Sequence, residues 1–293
     1  MNAPPSIAPT LSGRARLWAI DGLLLGAFMT SACGFATLLE HPRSPLPHVL
    51  VNADLRRGLM GLAMSGTAVA IIYSPLGRRT GPLLNPAMVL TLFRLRKLSM
   101  LDAVGFMLMQ FALGPIGVFV AWLLLRPWVA ESPVFYAATQ PGPFGRMAAW
   151  WAEFAIALLM VVVVMAVNGK PRWTRFGGAA AAFLVAVFIT FEAPISGMAL
   201  NPARSFASAV FAQIWSGLWI YLTAPVAGML AGAELVRACR RDDESLCAKL
   251  AHDERCAIRC QCLNRDSVHQ SRDVRPSLSR IESDRASVPN TAV

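Results

Sequence analysis

The sequence predicts an all-α membrane protein in which six transmembrane helices and two re-entrant half-helices form an inverted repeat. Three observations carry that expectation. Of 293 residues, 55% are apolar and only 15% charged, and mean hydropathy is +0.50; a water-soluble domain carries about a quarter charged residues. Residues 22–39 and 103–125 contain no charged side chain, and each run is long enough to cross a hydrocarbon core. The tripeptide Asn-Pro-Ala occurs twice, at Asn85-Pro86-Ala87 and at Asn201-Pro202-Ala203, each time opening a short apolar segment. This composition excludes a soluble enzyme, a secreted disulfide scaffold and a nucleic-acid-binding protein. The partner it implies is the lipid bilayer.

Apolar runs bounded by charges and breakers place full spans at about 17–39, 59–76, 101–125, 147–167, 176–191 and 214–236. No small-residue cleavage site follows the first run, so it reads as a span and not as a secretory signal. Two shorter runs lie at about 84–93 and 200–212. At about 1.5 Å per residue, each covers only half of a roughly 30 Å core. Asn is a favoured N-cap, and Pro fits the first helical turn, where its missing N–H costs nothing. Asn-Pro-Ala therefore marks a helix start inside the membrane, and the chain leading to it has to be buried in protein or face water.

The acids repeat with the tripeptides. Asp21 sits in the first span and Glu153 in the fourth. The order acid-bearing span, span, half-helix, span thus occurs twice, with repeat one at about 17–125 and repeat two at about 146–238. An odd number of spans per copy inverts the second relative to the first. Intramembrane acids are expensive and mark function by default. The expected role of Asp21 and Glu153 is to accept hydrogen bonds from backbone N–H groups of the irregular chain before each half-helix.

The net charge of +10 is unevenly placed. From Cys239 onward ten basic and nine acidic residues nearly cancel, so the excess lies in the short connections. Arg14 and Arg16, the Arg78–Lys97 cluster, Lys170, Arg172 and Arg175, and Arg237, Arg240 and Arg241 all fall on one side of a six-span chain. That asymmetry puts both termini in the cytoplasm of a cell bounded by a plasma (inner) membrane.

Two Asn-Pro-Ala motifs in equivalent places of an inverted repeat resemble the aquaporins and glycerol facilitators, the major intrinsic proteins. The resemblance covers about 17–237. Asn201-Pro202-Ala203-Arg204-Ser205-Phe206 looks like the family's second signature, and Pro225, Gly228 and Gly232 look like its last span. Two features depart from the family pattern: Asp21 stands where Glu is usual, and residues 76–82 lack the usual His and Ser. The resemblance implies a passive channel for water and small uncharged solutes, with glycerol, urea and neutral metalloid hydroxides as candidates. It implies a homotetramer and no cofactor. It also implies a narrowest point formed by Ser65, Ile189, Met198 and Arg204, with Arg204 as a donor and cation barrier. A small Ser65 beside Ile189 would make that constriction wide and apolar. Half-helices meeting end to end would aim two positive N-termini and the Asn85 and Asn201 amides at one spot, opposing cations and a continuous proton wire.

Residues 1–16 form a short leading segment, and 239–293 form a polar tail. The tail holds five of the six cysteines. His252, Cys256 and Cys260 would share one helix face, with Cys262 or Cys247 able to complete a tetrahedral metal site, although no paired C-x-x-C pattern is present. Reduced cysteines on a short amphipathic helix are the competing expectation for this stretch. Four other readings compete for the whole chain. A membrane enzyme would need an intramembrane His cluster, and all four histidines lie outside the spans. A coupled transporter would need titratable pairs at mid-membrane. A strictly water-selective pore, or a closed-pore structural or adhesion protein, would share the same fold.

Overall fold

The computed structural model describes residues 10–239 and 247–250. Eight helices carry the architecture: α1 (Leu11–Glu40), α2 (Ala53–Tyr73), α3 (Pro86–Arg94), α4 (Met100–Leu125), α5 (Arg146–Asn168), α6 (Gly177–Phe191), α7 (Pro202–Ala212) and α8 (Leu218–Cys239). All but α3 and α7 are long and apolar enough to cross a membrane, α6 with the 3₁₀ turn before it. Large apolar side chains such as Leu23, Leu62, Leu108, Phe119, Trp151 and Phe183 face outward. An outer surface of that kind suits lipid and would be costly in water. With six crossings, Leu11 and Cys239 lie at one end of the bundle, called here the terminal end. The connections 41–52 and 126–145 lie at the other, the loop end.

Packing follows the repeat. α1 lies along α4 and α5 along α8, so the first and third spans of each repeat pair, and α2 against α6 joins the halves. Small residues set these distances. A Cβ on Gly22 or Gly26 would meet the Met109 and Leu113 carbonyls of α4, and one on Gly228 or Gly232 would meet the Phe154 and Leu158 carbonyls of α5. Both G-x-x-x-G pairs are therefore used inside the subunit, where bare backbone lets helices approach closely. The half-helices cross over: α7 of repeat two packs on α4 of repeat one, and α3 of repeat one packs on α8 of repeat two.

Several boundaries shift from the hydropathy pattern for local reasons. α1 starts at Leu11, well before the apolar run, because the Thr10 side chain caps it by accepting from Gly13 N–H. Its added turns carry Arg14, paired with Asp102 of α4 at 3.1 Å. α2 starts at Ala53 because the Asn52 side chain accepts from Asp54 and Leu55 N–H. It stops at Tyr73, before Ser74-Pro75, and a further short helix, Pro75–Thr80, follows. The hydropathy pattern does not foresee that extra turn.

Candidate functional site

The two half-helices start where the tripeptides lie. Asn85 caps α3, its Oδ1 accepting from Ala87 N–H, and Asn201 caps α7, its Oδ1 accepting from Ala203 and Arg204 N–H. Each Asn also reaches into the other repeat. Asn85 Nδ2 donates to the Leu200 carbonyl at 2.9 Å, and Asn201 Nδ2 donates to the Leu84 carbonyl at 2.6 Å. An amide carries two N–H donors, so each keeps one beyond this clasp.

Leu84 and Leu200 are the hubs of the arrangement. Both sit in the left-handed region, at φ 53° and 58°, a conformation that costs a leucine about 1–3 kcal/mol. Each is held from both sides. The Leu84 N–H, with that of Leu83, donates to the fully buried Asp21 carboxylate, and the Leu200 N–H, with that of Ala199, donates to the fully buried Glu153 carboxylate. The carbonyl of each leucine accepts from the Asn of the opposite repeat. The strain turns each backbone carbonyl toward that Asn and is sustained by the buried acid behind it.

A cavity of about 490 Å³ runs through the bundle past this point. Glu40, Arg57 and Ala138 line it at the loop end, Asn85 and Asn201 in its middle, and Ile72, Met88 and Met229 toward the terminal end. Of the expected constriction residues, Ile189, Met198 and Arg204 line the cavity and Ser65 does not. The α2 stripe that faces it is Met60, Met64 and Ala68, spaced as one helix face. Ser65 stands one residue, or about 100° of helix, off that stripe. Between α2 and Asn85 the chain runs through the short helix Pro75–Thr80 and an irregular stretch, so a residue count back from Asn85 does not by itself fix which side of α2 faces the cavity. In this structure Met64, buried and bulky, and not the smaller Ser65, stands on the cavity-lining face of α2.

Arg204 is anchored from outside its own helix. Its Nη1 donates to Thr139 Oγ1 in the loop-end connection 126–145, and the same hydroxyl lies 3.3 Å from Ser205 Oγ. That connection is itself tied to the descending chain by the Gly142 N–H donating to the Ile195 carbonyl at 2.9 Å. The descending chain is fixed again where Ser196 Oγ donates to Glu153 at 2.8 Å and Tyr221 Oη donates to the Ser196 carbonyl at 2.5 Å. Beyond the end of α6, burial and then the nearby Glu153 carboxylate push the Glu192 carboxyl up to about 7.

The model of the family described as major intrinsic protein matches residues 24–236, most of the chain. The chain belongs to the major intrinsic protein family. Among curated relatives, it is 29% identical to Aquaporin NIP3-1 of Zea mays over 62% of this chain and 60% of that protein. It is 27% identical to Glycerol uptake facilitator protein-like 6 of Lactiplantibacillus plantarum over 75% of this chain and 96% of that protein. The chain thus spans about three fifths of the maize relative's own length and nearly all of the bacterial one's. A solved structure, the aquaglyceroporin from Plasmodium falciparum, superposes with a TM-score of 0.59 at 18% identity, covering 76% of this chain and 95% of that one. That likeness establishes the aquaporin fold.

Within this major intrinsic protein, sequence reasoning missed Gln110, Thr139 and Ser196. Each is a polar side chain in an otherwise ordinary stretch whose partner is far away in sequence, so no local pattern announces it. The metal candidates His252, Cys256, Cys260 and Cys262 lie outside the described residues, as does the proposed amphipathic helix that would carry them. Cys247, the alternative fourth ligand, is described and is buried. Among the described residues no three His, Cys, Asp or Glu side chains are placed to share a metal ion.

Proposed function

We propose that the protein is a passive channel for water and small uncharged solutes, excluding ions and protons. The observation that carries this reading is the reciprocal clasp of Asn85 and Asn201. It joins two half-helix N-termini at the middle of a continuous cavity and leaves each amide with a second N–H. An oxygen passing between two donors has to turn its own hydrogens away from both, which breaks a proton wire. The two positive helix ends and the Arg204 guanidinium repel cations at the same place. Nothing in this arrangement asks for a cofactor or for covalent chemistry. The names of the relatives, an aquaporin and a glycerol uptake facilitator, support the same class of cargo.

The basic residues flanking the terminal end support an orientation with both termini in the cytoplasm and the protein in the plasma (inner) membrane. A homotetramer is the assembly the family suggests. The cargo beyond water is set at Met64, Ile189, Met198 and Arg204: three apolar walls and one ionic donor suit a slender neutral solute such as glycerol or urea. A strictly water-selective pore is the second reading, and the bulk of Met64 in place of a serine favours it.

Stopped-flow light scattering of proteoliposomes tests both. Vesicles are challenged with sucrose, glycerol and urea gradients, with Asn201→Asp as a disabled control. Fast shrinkage in sucrose and fast re-swelling in glycerol or urea supports a solute channel. Fast shrinkage without re-swelling supports the water-selective reading, and vesicles no faster than the control refute the channel.

A further inference from the structure

Of the residues beyond α8, the described segment 247–250 does not lie on the surface. Cys247 and Ala248 are 0% exposed, Lys249 1% and Leu250 9%. Cys247, Ala248 and Leu250 belong to the same apolar core as Ile72, Met88, Met160 and Met229, and Leu250 lines the pore cavity together with those four residues. Residues 247–250 thus occupy the terminal-end mouth of the cavity.

The seat is built for a strand of backbone. Asn168, the last residue of α5, is buried, and its Nδ2 donates to the carbonyls of both Cys247 and Lys249, at 3.0 and 2.8 Å. One amide nitrogen therefore satisfies two carbonyls of a segment that has neither helix nor sheet to bond with, as buried backbone requires. On the facing wall, a Cβ on Gly178 would stand 2.7 Å from the Leu250 carbonyl oxygen and 2.6 Å from Ile72 Cγ2. Only a residue without a side chain leaves room for the segment there. Apolar side chains fill the vestibule, an amide holds the backbone, and a glycine opens the wall.

We infer that residues 247–250 are an intramolecular plug, and that permeation requires this segment to leave the terminal-end mouth. The inference rests on the channel reading above. Its seat is reversible by construction. It is short, and it includes a lysine whose burial is costly even when paired.

The test uses the full chain. Leu250→Asp places a charge in the apolar mouth while leaving every residue of the eight helices unchanged, and Asn168→Ala removes the two backbone hydrogen bonds. Water and solute permeabilities are measured in proteoliposomes. Maleimide alkylation of each cysteine is followed in parallel by mass spectrometry of digested protein. If the seated state dominates, Leu250→Asp raises permeability by about tenfold. In the wild-type protein Cys247 then reacts at least about tenfold more slowly than the exposed Cys239, and that protection is lost in Leu250→Asp. Equal permeability of wild type and both variants, all well above protein-free vesicles, overturns the plug, whatever Cys247 does, and leaves the channel reading standing. Absence of conduction from every protein, although Cys247 has become reactive in Leu250→Asp, also overturns it, and in that case the channel reading fails with it.

Discussion

Gln110 Nε2 of α4 donates to Asp21 Oδ2 of α1 at 2.7 Å, with both residues fully buried. This bond completes a balance between the two repeats. Asp21 accepts from Leu83, Leu84 and Gln110, and Glu153 accepts from Ala199, Leu200 and Ser196. The aspartate that departs from the family pattern is thus served by a side chain from a neighbouring span, where the glutamate is served by the hydroxyl of its own descending loop.

Replacing Gln110 by Leu removes one donor from a buried carboxylate. A hydrogen bond to a charged group contributes about 1.5–3 kcal/mol, and Gln110→Leu is expected to lose about that much stability. Thermal unfolding of the detergent-solubilised protein checks it, with Gln110→Glu as a second probe that sets two acids together and should be worse. An unchanged midpoint in Gln110→Leu would mean that the bond is incidental.

Met64 and Ser65 separate two registers of α2. Shortening Met64 to Ala should open the constriction and raise glycerol flux by about tenfold, the effect of removing a few methylenes from a tight apolar contact. Ser65→Ala should leave flux unchanged. Stopped-flow re-swelling distinguishes them, and the reverse result would restore the position one residue on.

Thr139 is expected to hold Arg204 in place without touching the permeant. Thr139→Val should preserve water flux within about threefold while changing the ratio of urea to glycerol flux, because only the orientation of the guanidinium is disturbed. Arg204→Ala should go further and admit cations, seen as a pH-dye or potential-dye leak. A tight membrane in Arg204→Ala would remove the guanidinium from the barrier.

Glu192 gives the protein a pH-dependent stability with a definite sign. Its carboxyl titrates about 7 in the folded state against an ordinary value of 4.5. Between those values the unfolded chain releases a proton that the folded protein keeps, so stability falls as pH rises through that window and levels off above it. The midpoint of unfolding should therefore be higher at about pH 5 than at about pH 8, and Glu192→Gln should shrink that difference. The same difference in both proteins would assign it to another group.

Much of this molecule is legible from residue order, for reasons that differ by element. Spans such as α4 and α5 announce themselves because lipid tolerates few charges over that length. The helix starts at Asn85 and Asn201 are legible because an N-cap followed by Pro specifies a start wherever it occurs. The α2 face is not legible. A helix rotates about 100° per residue, so a count taken from a distant landmark across an irregular connection need not land on the cavity-facing residue. Gln110 and Thr139 are hidden for another reason: their partners, Asp21 and Arg204, are 89 and 65 residues away in the chain. The buried segment at 247–250 lies in a polar stretch, and composition alone gives no sign that four of its residues are inside the bundle.

The clasp between Asn85 and Leu200, and its mirror between Asn201 and Leu84, also bears on how the chain is made. When synthesis has delivered only the first repeat, the Leu84 carbonyl and the Asn85 amide lie within the bilayer while their partners, 117 and 115 residues further along the chain, have yet to be made. Unsatisfied backbone at that depth is costly, so the first re-entrant segment has no reason to settle until the second arrives. The finished pore is then a joint product of both halves. A ribosome stalled between them would leave a membrane-inserted chain whose first half-helix is still unseated, a state that quality-control machinery could tell apart from the completed protein.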